Sequence, residues 1–177
     1  MIFSIDIGKE YLAIASKHIE QSENANIDLF IQPIIVKNNT LMNYPKKLCL
    51  VFDKLIPDEK LMNNGKCEIW IEKQYNTNTR AMMIMSMIIM YCVSRNIKYT
   101  IIDPKEKFKV WGIPIDKKNK EHKKESIRRA FEINKEISDI LSVYQKMDDL
   151  ADAVNMLITH LSLLHSKAFS HSQNMMN

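Results

Sequence analysis

Polar and apolar positions alternate at residues 2–7 (IFSIDI): Phe3, Ile5 and Ile7 share one face, while Ser4 and Asp6 share the other with Ile2. A period of two predicts a strand. Gly8-Lys9 reads as a turn and residues 11–16 (YLAIAS) as a returning strand. Residues 29–36 form a third strand, and Pro33 places it at a sheet edge. Asn39 and Thr40 are candidate caps of a helix reaching about Ile56, with Pro45 inside it. After the turn signal Asn63-Asn64-Gly65, residues 67–72 (CEIWIE) alternate again, with Ile69 and Ile71 opposite Glu68, Trp70 and Glu72. Residues 77–95 are almost continuously apolar and predict a helix buried on most sides. Residues 98–102 (KYTII) make a fifth strand, stopped by Asp103-Pro104. A basic loop to about Glu121 and two amphipathic helices, 122–141 and 145–165, complete the pattern.

Strands joined by short links read as an antiparallel meander, and strands separated by helices as parallel crossovers. The predicted fold is therefore α/β: a mixed five-stranded sheet, three antiparallel strands then parallel ones, flanked by α-helices on both faces. The 177 residues, with 46% hydrophobic content, suit a single domain over 1–165 followed by a polar tail, 166–177. Only 3 Gly and 5 Pro exclude collagen-like or linker-rich chains. Cys49, Cys67 and Cys92 lie far apart without a C-x-x-C pair, so a disulfide framework or cysteine zinc site is not expected and a reducing, intracellular setting is. The longest uncharged stretch, residues 81–94, is too short to span a bilayer, and Asp6 falls too early for a secretory segment. A soluble protein with no membrane partner is expected.

Charge is uneven. Ten Lys or Arg face five acids over residues 103–129, which gives +5, whereas the chain from Ala130 onward carries three lysines and six acids, or −3. A basic stretch beside an acidic one suits a polyanion held next to a cation site. Lys117, Lys118 and Lys120 are the natural contacts for such a polyanion.

Acids also sit in apolar company. Asp6 interrupts the first strand, Glu72 ends the fourth, and Asp149 and Asp152 share a helix face beside Leu150, Ala151 and Val154. Burying lone carboxylates is costly, and crowding them raises their pKa values. A divalent cation relieves both penalties, and Mg²⁺ prefers such oxygen ligands. Two ions about 3.5–4 Å apart can drive phosphodiester hydrolysis.

The segments S-I-D-I-G (4–8), I-W-I-E-K-Q (69–74) and D-D-L-A-D-A (148–153) resemble those of RuvC-type Holliday junction resolvases in the ribonuclease H-like superfamily. The compact length and the lysine-, isoleucine- and asparagine-rich composition resemble the poxvirus branch. The resemblance implies a metal-dependent, homodimeric endonuclease that nicks four-way DNA junctions symmetrically. It implies Mg²⁺, two ions with Mn²⁺ as a substitute, held by Asp6, Glu72, Asp149 and Asp152. K-E-S-I at 124–127 resembles the helix start bearing a lysine near the scissile phosphate, which makes Lys124 a catalytic candidate with Lys123 beside it. Lys107, in KFKVWG, resembles a second such lysine. Tyr75 matches an aromatic that stacks at the junction, and Arg80 joins the expected DNA contacts. Branched viral DNA is the implied substrate and the host cytoplasm the implied place; no small-molecule substrate is expected.

Other readings remain open: a ribonuclease H-like nuclease acting on RNA/DNA hybrids or other branched nucleic acid, or a DNA-binding module without catalysis. The D-I-G strand also opens actin-like ATPases, but those require a second glycine-rich hairpin that 3 Gly do not provide. The methionines of residues 82–90 read as core or subunit packing, with Met83, Met87 and Met90 as the expected contact between copies.

Overall fold

The computed structural model describes residues 1–8, 11–18, 27–33, 43–56, 67–112, 119–133 and 147–174. In chain order the elements are β1 (Ile2–Ile7), β2 (Tyr11–Lys17), β3 (Asp28–Pro33), α1 (Asn43–Leu55), β4 (Glu68–Glu72), α2 (Thr79–Ser94), β5 (Lys98–Ile102), α3 (Glu106–Val110), α4 (Asn119–Ile133) and α5 (Met147–Asn174). The strands form one five-stranded sheet in the order β3-β2-β1-β4-β5. The β1–β2 and β2–β3 pairs are antiparallel; β1–β4 and β4–β5 are parallel. This is the mixed sheet the strand spacing predicts, and β3, with its Pro33, is an edge.

Alternation along β1 divides the interior. Phe3, Ile5 and Ile7 join Leu48 and Phe52 of α1 and Ile84 and Ile88 of α2 in one core. Ile2 joins Trp70, Ile102, Ala130 of α4 and Leu150, Val154 and Leu157 of α5 in a second core on the opposite face. Each fully buried aliphatic side chain contributes about 1.5–3 kcal/mol, so the two layers clamp β1 from both sides. Ser4 and Asp6 face the second layer because they alternate with the first.

Local chemistry sets the element ends. Asn78 Oδ1 accepts from the Ala81 N–H at 3.2 Å, which caps α2, and Asn96 stops that helix at φ 53°, a region asparagine tolerates. Pro45 lies in the first turn of α1, where its missing N–H has no intrahelical partner to lose.

Three boundaries differ from the sequence pattern. Helix α3 lies inside the expected basic loop; at five residues it is too short to show a helical period. Helix α4 starts at Asn119, before the expected 122, and α5 continues past 165 to Asn174. The expected starts and ends at 34–36, 39–42 and 134–141 lie outside the described residues. No described helix is long and apolar enough to cross a membrane.

Candidate active site

Strand register brings the first two acids together. Ile5 pairs with Ile71 across the parallel β1–β4 ladder, so Asp6 and Glu72, each one residue further on, lie side by side on the α5 face. Each carboxyl lies within the other's electrostatic reach. Asp6 is 7% exposed. Burial and the negative charges of Glu72, Asp152 and Asp149 push its carboxyl well above the ordinary range. Burial also raises Glu72, against the attraction of Lys107.

Helix α5 delivers the other two. It crosses β1 and β2, and its first turns end over the C-terminal end of β1. A Cβ built on Gly8 would lie 2.7 Å from Asp149 Oδ2 and 3.1 Å from the Tyr11 carbonyl, so only glycine lets the β1–β2 turn and this carboxylate approach so closely. Asp152, one turn on, points between β4 and α3.

A lysine lies buried beside two of these acids. Lys107, 5% exposed, places Nζ 2.5 Å from Asp152 Oδ1 and 3.8 Å from Glu72 Oε1. Burial alone would lower its pKa; the attraction of Asp152, Glu72 and Asp6 and the hydrogen bond to Asp152 outweigh it and hold the ammonium above its usual value. The short helix bearing Lys107 is fixed by its neighbours. Phe108 stacks on His122 at 4.3 Å and meets Trp111 edge-on at 5.9 Å, and Arg129 lies 4.7 Å above the Trp111 ring. Glu106 Oε2 lies 3.0 Å from Nε2 of His160, whose ring packs on Trp70.

Asp152 Oδ1 also accepts from the Ser126 hydroxyl of α4. Asn155, one turn beyond Asp152, donates to the Ser126 carbonyl at 2.7 Å and to its Oγ at 2.9 Å. The sequence reading missed both residues. Asn155 stood out in the same way as Asp6, as a polar residue inside an apolar run (AVNML), and that signal was legible.

As they stand, no three Asp, Glu, His or Cys side chains among the described residues are grouped so as to hold a metal ion. The fit lies in donor chemistry. Hard carboxylate oxygens from three elements lie close together, where their repulsion raises Asp6 and is partly met by one ammonium. Divalent-cation binding would supply the same compensation.

No family model and no curated protein sequence matches this chain. Solved structures do resemble it. The Thermus thermophilus RuvC structure aligns with a TM-score of 0.60 at 10% identity, covering 90% of this chain and 92% of that one. T. thermophilus RuvC in complex with Holliday junction substrate aligns with a TM-score of 0.63 at 11% identity, covering 94% and 95%. The chain has the RuvC fold.

On this RuvC fold the expected site residues fall into distinct places. Asp6, Glu72, Asp149 and Asp152 come together. Lys107, expected as a second lysine near the scissile phosphate and among the DNA contacts, lies beside Asp152 and Glu72 and is buried there. Lys124 is exposed on α4 and makes no ion pair among the described residues. Lys123 binds Asp148 Oδ2 at 2.5 Å, and this contact raises the lysine and, against burial, lowers the carboxyl. Tyr75 is half exposed at the rim; burial and the negative charge of Asp103 raise its phenol. Arg80 turns away from the acids, with Nη2 2.5 Å from the Tyr44 hydroxyl and the guanidinium over that ring. That contact ties α2 to α1. Lys117 and Lys118 lie outside the described residues, and Lys120 falls in the first turn of α4.

Proposed function

We propose that this protein is a Holliday junction resolvase, a divalent-metal-dependent endonuclease that nicks four-way DNA by phosphodiester hydrolysis. The observation that carries the reading is the approach of Asp6, Glu72 and Asp152, from β1, β4 and α5, to the buried Lys107 ammonium, with Asp149 beside them against Gly8 at the end of β1. A neighbour of the same fold was solved as RuvC in complex with Holliday junction substrate, which supports branched DNA as the partner.

Asp6, Glu72, Asp149 and Asp152 are the residues that would hold Mg²⁺ ions, two by resemblance, with Mn²⁺ as a substitute. Metal held there would supply activation of water and stabilisation of the leaving oxygen. The chain's own groups do the rest. Lys107 offsets part of the cluster's negative charge, so that a phosphate can approach. Tyr75 offers a ring at the rim for stacking, and Lys123 and Lys124, with Lys117, Lys118 and Lys120, supply positive charge for the backbone.

Junction symmetry requires two nicks on strands of like polarity, and a two-fold homodimer supplies two sites at once. The exposed Met90 and the neighbouring Met83 and Met87 line an apolar groove of about 560 Å³ with Leu48 and Cys49, and we assign the subunit contact there. The poxvirus branch, viral replication intermediates and the host cytoplasm complete the reading; the lysine-, isoleucine- and asparagine-rich composition supports them.

The test is a panel of synthetic four-way junction, linear duplex and RNA/DNA hybrid, incubated with protein and Mg²⁺ or with EDTA. Junction-selective, EDTA-sensitive nicking is expected. Preferential cutting of the hybrid would replace the junction reading with a ribonuclease one.

A further inference from the structure

We infer that Asn155 and Ser126 form a positioning pair that sets the orientation of the Asp152 carboxylate. The inference deepens the resolvase reading and rests on it.

Donor and acceptor capacities fix the direction of the chain. The Ser126 carbonyl can only accept, so the nitrogen of the Asn155 amide, not its oxygen, must face it. The second amide hydrogen is within reach of Ser126 Oγ. With that lone pair engaged, the Ser126 hydroxyl proton points to its remaining neighbour, Asp152 Oδ1. The same Oδ1 accepts from Lys107 Nζ. Two donors from two different elements, α4 and α3, therefore converge on one carboxylate oxygen. No described group bonds the other, Oδ2, on a side chain that remains 23% exposed. A carboxylate held by one oxygen presents the second in a fixed direction, which is what a ligand-binding or water-orienting group requires.

Packing alone does not account for the pair. Ser126 and Asn155 are fully buried between α4 and α5 among Ala130, Ala151 and Val154. Asn155 Oδ1 has no partner there, and an orphaned buried oxygen weakens the fold. An apolar residue at 155 would avoid that cost. The polar pair stands where Asp152, an acid of the cluster, is in hydrogen-bond reach.

The experiment compares wild type, Ser126→Ala and Ser126→Thr by steady-state junction cleavage and by denaturant unfolding, with Asp152→Asn and the Ser126→Ala/Asp152→Asn double variant added to the unfolding set. Ser126→Ala should lower kcat by roughly tenfold or more with KM within about twofold, and the hydroxyl kept in Ser126→Thr should restore part of the lost turnover. In unfolding, Ser126→Ala should cost less when Asp152 is already Asn, because the charged acceptor is gone. A purely packing role predicts the reverse: additive unfolding losses and an unchanged kcat for the folded fraction. That result, or Ser126→Ala turning over within twofold of wild type, overturns the positioning role while wild-type cutting still supports the resolvase. Wild type that binds junctions and cuts nothing overturns the resolvase reading, and the role of Ser126 with it.

Discussion

Lys107 Nζ stands 2.5 Å from Asp152 Oδ1 and 3.8 Å from Glu72 Oε1, a buried ammonium between acids of two separate elements. Removing one partner of a buried pair leaves the other uncompensated. Lys107→Met keeps the apolar stem and removes the charge, and should destabilise the protein by about 1–3 kcal/mol, below the usual range for such pairs because Asp152 is partly hydrated. Denaturant unfolding at neutral pH checks this. A variant as stable as wild type would mean that the acids rely on protons rather than on the ammonium.

Stability should also depend on pH in an unusual direction. Asp6 and Glu72 are raised above the ordinary 3.8 and 4.5, so the folded state binds more protons than the unfolded chain. Their contribution is fully present below those ordinary values and is lost as pH rises through the raised ones. Glu68, Asp148 and Glu125 are lowered, the last to about 2, and act oppositely, but only as pH falls below about 4.5. Metal-free protein should therefore lose stability as pH rises above that value, and Asp6→Asn should remove much of the slope. Saturating Mg²⁺ should flatten it as well, since metal competes for the same oxygens. Melting curves across pH, with and without Mg²⁺, read the effect directly.

Gly8→Ala tests how closely Asp149 must approach. The added methyl meets the carboxylate at 2.7 Å and a backbone carbonyl at 3.1 Å, and the side chain is the part free to move. A displacement near 1 Å should cost roughly 10²-fold in turnover. Junction affinity should hold, because the phosphate contacts are elsewhere. Unchanged turnover would remove Asp149 from the site.

Charging the α2 face tests symmetry. Lys at Met83, Met87 and Met90 together should convert a dimer into a monomer by sedimentation and replace paired incisions with single nicks. A wild-type monomer that still makes paired, symmetric incisions would end the dimer proposal. A dimer that survives the triple change would move the contact away from this groove.

What the sequence disclosed follows from the range of the interactions involved. Strand alternation around Asp6 and the Asp149–Asp152 spacing are local, so the mixed sheet and the shared helix face of the two aspartates were legible, whereas the grouping of all four acids was implied by the resemblance. The burial of Lys107 was not. It depends on helix α3, a turn and a half held by contacts with His122 and His160 far along the chain. Ser126 was hidden for the same reason: its role exists only once α4 packs on α5 and Asn155 reaches across. Arg80 looked like one more cation for DNA, yet a tyrosine thirty-six residues earlier claims it.

Binding and cleavage of one four-way junction by wild type and Asp152→Asn, side by side in Mg²⁺, tests the central claim most directly. The acid cluster as catalytic centre predicts paired nicks by wild type and none by the variant, with junction affinity equal or slightly higher, since losing a negative charge does not weaken phosphate contacts. Cleavage by Asp152→Asn at a wild-type rate would contradict it.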